Sequence, residues 1–174
     1  TGEKNGRLVY EHKGYRSVRA VPYEVPILGY RSDVINALRL WAARSTKHLD
    51  MSLFGQGKYL DALEEKELAE VISKVLYPDD NHSEGKSLRL KQQYFFVSAS
   101  IQSIVRNYLK QHGANLQDFP AHVVIHINDT HPALAIPELM RILIDEQGLD
   151  WDSAWQIAKS TFAYTNHTIL EEAL

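Results

Sequence analysis

Val123-Val124-Ile125-His126-Ile127-Asn128-Asp129-Thr130-His131-Pro132 is the stretch on which the reading of this chain turns. Its β-branched run predicts a strand over 122–127, and the polar residues that follow predict a turn, closed by a proline ahead of a helical pattern. In an α/β sheet, ligands gather where the carboxyl end of a strand passes into a loop. Residues 122–132 therefore read as a strand and the loop of a site.

The neighbouring segments frame it. Upstream, Leu90, Tyr94, Val97, Ile101, Ile104, Val105 and Tyr108 recur at three- and four-residue steps and predict a core helix over 88–111, stopped at His112-Gly113. Downstream, residues 133–147 read as a helix ended by Gly148, after which Asp150 or Asp152 caps another bearing Ala154, Trp155, Ile157, Ala158 and Phe162. That helix runs out at Tyr164-Thr165-Asn166-His167-Thr168. Earlier in the chain, Leu60, Leu63, Leu68, Val71, Ile72 and Val75 draw one face of a strongly charged helix that begins at Tyr59 and is broken by Pro78. Residues 34–41 also show apolar groups at helical spacing, behind Ser32 or Asp33 as a cap, and residues 49–57 read as a loop. Near the start, Leu8-Val9-Tyr10 and Val18 to Val21 predict two short strands around Gly14, with Pro22 to Tyr30 an extended connector. The pattern is α/β, helix-rich with few strands.

A chain of 174 residues with 44% hydrophobic content can bury a core and suits a single domain. Its 19 basic and 22 acidic side chains leave a net charge of −3, which offers no basic field to nucleic acid or anionic lipid. The absence of cysteine excludes a disulfide framework and a thiolate zinc site. No apolar run reaches the length of a membrane span, so a cytoplasmic location is the default. The chain starts without Met and stops on Ile169-Leu170-Glu171-Glu172-Ala173-Leu174, a helix-forming run with no terminator, and so reads as a piece of something longer.

Three polar corners stand out: Asp79-Asp80-Asn81-His82, Asn128-Asp129-Thr130-His131 and Asn166-His167-Thr168. Each sets an amide beside an ionisable group at an element boundary, the mixture of donors and acceptors that sugar hydroxyls require. Asn-Asp pairs also serve as ordinary turn and cap residues. A metal reading of His126, Asp129 and His131 has suitable ligand types without a helical spacing. Asp79 and Asp80 offer a carboxylate pair of the kind used in glycoside hydrolysis, although adjacent side chains point apart.

Taken together, these segments resemble the α-glucan phosphorylases, the glycogen and maltodextrin phosphorylase family. The resemblance covers nearly the whole chain. It is carried by Ala20-Val21-Pro22-Tyr23, by Leu38-Arg39-Leu40-Trp41-Ala42-Ala43-Arg44, by Val75-Leu76-Tyr77-Pro78 through Asn81 with Glu84-Gly85-Lys86 and Leu88-Arg89-Leu90-Lys91-Gln92, by Asn128-Asp129-Thr130-His131-Pro132 with Leu134 to Arg141, and by Phe162-Ala163-Tyr164-Thr165-Asn166-His167-Thr168. It implies a fragment, residues 1–174, of the N-terminal Rossmann-like domain of a two-domain GT-B-type glycosyltransferase. That enzyme moves a terminal glucosyl unit from an α-1,4-glucan to inorganic phosphate, giving glucose 1-phosphate, with pyridoxal 5'-phosphate as cofactor. The attachment lysine falls outside this chain, so the fragment by itself is expected to be inactive.

The same resemblance implies the site. His167 would hydrogen-bond the glucosyl 6-hydroxyl and present its carbonyl to the anomeric carbon, where positive charge develops. Asp80 and Asn81 would lie on a gating loop over 77–85, hinged at Tyr77, with Asn81 reaching the sugar. Asp129, His131, Thr168 and Arg89 would line a polar side pocket. The helix over 59–76 would be a tower helix that meets its copy in a homodimer and couples the interface to the gate. One departure is plain: the family's loop commonly reads Asn-Asp-Asn-Phe-Phe where this chain has Asp79-Asp80-Asn81-His82-Ser83, so an aromatic platform is lost. The competing reading is a stand-alone carbohydrate-binding or helix-mediated dimerisation module.

Overall fold

The computed structural model describes residues 2–4, 7–10 and 13–167. The chain divides into two compact units, one of residues 14–95 and one made of residues 96–174 with the first 13.

In the unit of residues 14–95, a long ribbon comes first. Strand β3 (Val18–Leu28) pairs antiparallel with β4 (Ile35–Ser45), in register from Val18 opposite Ser45 to Leu28 opposite Ile35. This corrects two expectations, since residues 35–41 form strand rather than helix and Pro22 to Leu28 are ladder rather than connector. Leu, Ala and Arg favour helix locally, but the same residues also alternate, and the non-local ladder settles the matter. Pro22 and Pro26 are four apart, so both turn their missing N–H to the same side, the open edge of a two-stranded ribbon.

Helix α1 (Met51–Gly55) occupies what reads as a loop, because Asp50 Oδ1 accepts from the N–H groups of Ser52 and Leu53 at 2.9 and 3.0 Å. Helix α2 (Tyr59–Lys74) then packs on the ribbon through Ala62, Ala69 and Ile72, over the fully buried Ala43. Ala43 N–H donates to Ser73 Oγ at 2.8 Å. The larger side chains Leu60, Leu63, Leu68, Val71 and Val75 are exposed, on the side of the helix away from those alanines. Ribbon residues Tyr23, Val25, Leu38 and Leu40, cross-strand partners on one face, are exposed as well. Helix α3 (Ser83–His112) starts five residues before the predicted position.

In the other unit, β1 (Gly2–Lys4) and β2 (Arg7–Val9) pair antiparallel, so β2 does not pair with the strand after Gly14 as a simple hairpin reading suggests. The core gathers Val97, Ile101, Val105 and Tyr108 of α3, then Leu116 and Phe119, the latter in the one-turn helix α4 (Phe119–His122). Gly113, at φ +78°, donates its N–H to Leu109 O and ends α3 as expected. Strand β5 (Ile125–Asn128) runs through this core with Ile127 buried. Helix α5 (Ala135–Arg141) passes into a π turn over Ile142–Glu146, and α6 (Trp151–Thr161) is capped by Asp150. Strand β6 (Phe162–Thr165) pairs parallel with β5, an element that reads from sequence only as the frayed end of a helix. The strand–helix–helix–strand crossover from β5 to β6 is the α/β arrangement that the sequence pattern predicts.

The α6 cap has a pH consequence. Hydrogen bonds from the Ser153 N–H and hydroxyl hold the Asp150 carboxyl below its ordinary value. Stability from a lowered carboxylate is present above the unfolded-state value and is lost as pH falls through the folded one. Asp150→Asn keeps a cap and loses that dependence. Thermal midpoints measured below about pH 4 are expected to fall more steeply for the parent than for the variant.

Candidate functional site

Parallel pairing brings the carboxyl ends of β5 and β6 out together. The register sets Asn128 opposite Thr165, and the ladder continues with Asp129 N–H donating to Thr165 O at 2.7 Å. Asp129 sits at φ +65°, a left-handed conformation that Asp and Asn tolerate better than most residues, and its Oδ1 accepts from Thr130 N–H at 2.7 Å. Two side-chain bridges then tie the strands across. His126 Nε2 meets Thr165 Oγ1 at 2.5 Å, and His167 Nε2 hydrogen-bonds Asn128 Oδ1. An amide oxygen only accepts, so His167 Nε2 carries a proton.

The result is a polar corner where Asn128, His131, Asn166 and His167 are exposed and Asp129 is half-buried. It offers donors and acceptors at fixed positions on strand ends, the equipment for a polyhydroxylated ligand rather than for an apolar one. Of the residues singled out by sequence, Asp129, His131 and His167 come together here, whereas Thr168 lies outside the described residues. No group of three or more His, Cys, Asp or Glu side chains able to hold a metal stands among the described residues.

The loop between α2 and α3 is the second corner, described within its own unit. Tyr77 starts it at φ +56°, a strained value for an aromatic residue. Asp79 Oδ1 accepts from the Asn81 backbone and side-chain nitrogens at 3.0 and 2.7 Å, an Asx turn that fixes Asn81. Asp80 pairs with Arg89 of α3, Oδ2 to Nη1 at 2.5 Å. The two neighbouring carboxylates therefore have different partners and do not form the coupled acid–base pair that glycoside hydrolysis needs. Gly85 closes the loop: a Cβ there would lie 1.7 Å from the Asp79 carbonyl oxygen, so no other residue fits this approach. Every residue named for this loop, Tyr77, Asp80, Asn81 and Arg89, is at least partly solvent-accessible.

Two features escaped the sequence reading. His82 acts as a helix cap, for which an imidazole is an uncommon signal. Glu138, in the Pro137-Glu138-Leu139 run that looks like an ordinary amphipathic helix, is buried with its carboxylate gripped by Arg141 and by the Ser98 hydroxyl. An open groove lined by Tyr108, Gln111, His112 and His122 also exists, with the two imidazoles stacked at 4.0 Å, and contains none of the residues singled out above.

A sequence model of the phosphorylase family, described as carbohydrate phosphorylase, matches residues 1–174, and this chain belongs to that family. It is 52% identical to a glycogen phosphorylase of Bacillus subtilis over 99% of its length, covering 20% of that protein. It is 48% identical to the brain form of glycogen phosphorylase of Bos taurus over 97% of its length, covering 22% of that protein, and 49% identical to the muscle form of Oryctolagus cuniculus over 90%, covering 20%. The chain thus spans about a fifth of the length of the curated relatives it matches.

Proposed function

We propose that residues 1–174 form part of an α-1,4-glucan phosphorylase, in the N-terminal, Rossmann-like domain of a GT-B-type enzyme, and supply sugar-handling groups for glucosyl transfer to phosphate. The observation that carries this reading is the tied corner at the ends of β5 and β6, where His167 is oriented by Asn128 beside Asp129 and His131. His167 is assigned to the glucosyl 6-hydroxyl and, through its carbonyl, to the developing positive charge at the anomeric carbon. Asp129, His131, Thr168 and Arg89 are assigned to the polar surroundings of the sugar. Residues 77–85 are assigned as a gating loop hinged at Tyr77, with Asn81 as its sugar contact and Asp80, held by Arg89, as its anchor.

Pyridoxal phosphate finds no buried lysine to hold it among the described residues. A lysine that forms a Schiff base is desolvated, and every lysine whose side chain is described here is exposed. The attachment lysine is therefore assigned to protein outside this chain. The apolar stripe Leu60, Leu63, Leu68 and Val71, turned away from β4, is assigned to contact with a second copy in a homodimer. No helix among the described residues is long and apolar enough to cross a membrane, and a cytoplasmic setting fits a glucan and phosphate as substrates.

The test is an assay of the intact protein that carries this segment, given pyridoxal phosphate, α-1,4-glucan and inorganic phosphate. Release of glucose 1-phosphate is the expected result. Release of free glucose, independent of phosphate, would replace this reading with a hydrolase.

A further inference from the structure

The loop over 77–85 ends on a residue whose side chain performs a backbone task. His82 immediately precedes α3, and its carbonyl accepts from Lys86 N–H at 3.1 Å, the first bond of the helix. Its Nδ1 accepts from Gly85 N–H, the third helical residue, at 3.0 Å. That is N-cap geometry, with an imidazole nitrogen in the role that a Ser, Asp or Asn oxygen usually fills. An imidazole accepts at Nδ1 only when it is neutral with its proton on Nε2. The same Nδ1 lies 3.5 Å from Glu84 Oε2.

We propose that His82 is a protonation-controlled latch for the 77–85 loop, and this inference rests on the assignment of that loop as the gate of the sugar site. Neutral His82 holds Gly85 N–H and keeps the loop seated on the first turn of α3. Protonation turns Nδ1 from acceptor to donor, releases Gly85 N–H, and redirects the ring to the Glu84 carboxylate. Glu84 is ready to receive it: its own backbone N–H and the Ser83 hydroxyl hold its carboxyl below the usual value, so it stays anionic while an imidazole titrates. Of the other charged groups near the start of α3, Asp80 and Arg89 pair with each other, Asp79 accepts from Asn81, and Lys86 is exposed to solvent. His82 and Glu84 are both open to solvent, so proton exchange needs no rearrangement.

The latch has little slack. Gly85 already touches the Asp79 carbonyl and approaches the His82 ring, where an added Cβ would stand 3.1 Å from Cε1. Loss of this hydrogen bond leaves Gly85 N–H without the His82 ring as its partner. The site so controlled is the one bearing Asn81, which follows Asp79 in the same Asx turn.

The experiment is NMR of this chain, reading the His82 ring nitrogens and the hydrogen-exchange protection of the Gly85 amide, normalised to an unstructured peptide, from about pH 8 to about pH 5, the range in which histidines change charge. The expected result is an Nε2–H tautomer at the high end and a loss of Gly85 protection of about fivefold, the size of one cap interaction, as the ring protonates. His82→Asn, a cap that does not titrate, keeps Gly85 protected throughout, while His82→Ala lacks the protection at every pH. Protection in the parent that does not follow His82, or that survives in His82→Ala, overturns the latch. The link to the gate is read separately in the intact enzyme, where the glucan KM of the parent is expected to change with pH more than that of His82→Asn. Matching KM profiles, with the NMR result intact, overturn the gating role of the loop and leave the cap standing.

Discussion

Replacing His167 with alanine in the intact enzyme is expected to lower kcat/KM for glucan phosphorolysis by about tenfold to a thousandfold, the range for removing one positioned hydrogen-bonding group from a transition state. The expectation rests on how the ring is held. Its Nε2 is committed to Asn128 Oδ1 on the neighbouring strand, so the imidazole is set in place before any ligand arrives. Pre-orientation matters because a group that must first find its position spends part of its binding energy on ordering. Asn128→Ala leaves the ring present but untied, and a smaller loss in the same parameter is expected. Initial rates of glucose 1-phosphate release at several glucan concentrations separate the two effects. An unchanged kcat/KM for His167→Ala removes this residue from the site.

The second large effect is on stability and lies in the buried ionic network beneath α5. Glu138 is 3% exposed, yet it is charged and paired: Arg141 Nε and Nη2 donate to its two oxygens at 2.8 and 2.9 Å, and Ser98 Oγ donates at 2.7 Å. Arg141 also reaches Glu146 at 2.9 Å, and these hydrogen bonds raise the guanidinium above even its usual high value. Arg141→Leu strands the carboxylate in the core without its guanidinium partner. A loss of about 3 to 5 kcal/mol is expected, the cost of leaving a buried charge without its partner. The double variant Glu138→Leu with Arg141→Leu is expected to be more stable than Arg141→Leu alone, because an apolar pair needs no compensation.

The sign of the pH dependence gives an independent check on that account. A stranded Glu138 is pushed toward its protonated form, so its folded-state value lies above the unfolded one. The single variant then loses stability as pH rises and recovers toward the parent as pH falls. Urea unfolding midpoints at several pH values measure this directly. A deficit in Arg141→Leu that is the same at every pH would mean that lost packing, not a stranded charge, is responsible.

Much of the architecture was legible where the signal is local. The stop of α3 at Gly113 and the cap of α6 depend on groups within a few residues of one another; the first stands where the sequence placed it, and the second falls on Asp150, one of the two residues the sequence offered. The same holds for the strand before Asn128-Asp129 and for its turn, since β-branched residues and an Asx turn each act within the segment. The candidate site residues near β5 and β6 were legible as types, because donors and acceptors for hydroxyls are few. Their mutual ties were not legible: His167 and Asn128 are 39 residues apart, as are His126 and Thr165.

What the sequence determined by itself was the family, the helix-rich α/β character and the identity of the polar corners, because these follow from residue types in order along the chain. Tertiary structure alone decided that residues 35–45 are strand, since their composition serves either state and the unbroken ladder with Val18–Leu28 is a non-local pairing. It also chose the buried face of α2. Sequence favours the stripe of large apolar residues, whereas the close approach of β4 admits Ala62 and Ala69 beside Ala43 and leaves the leucines outside. Neighbouring backbone selects side chains by size at that contact, a constraint that no single segment carries within itself.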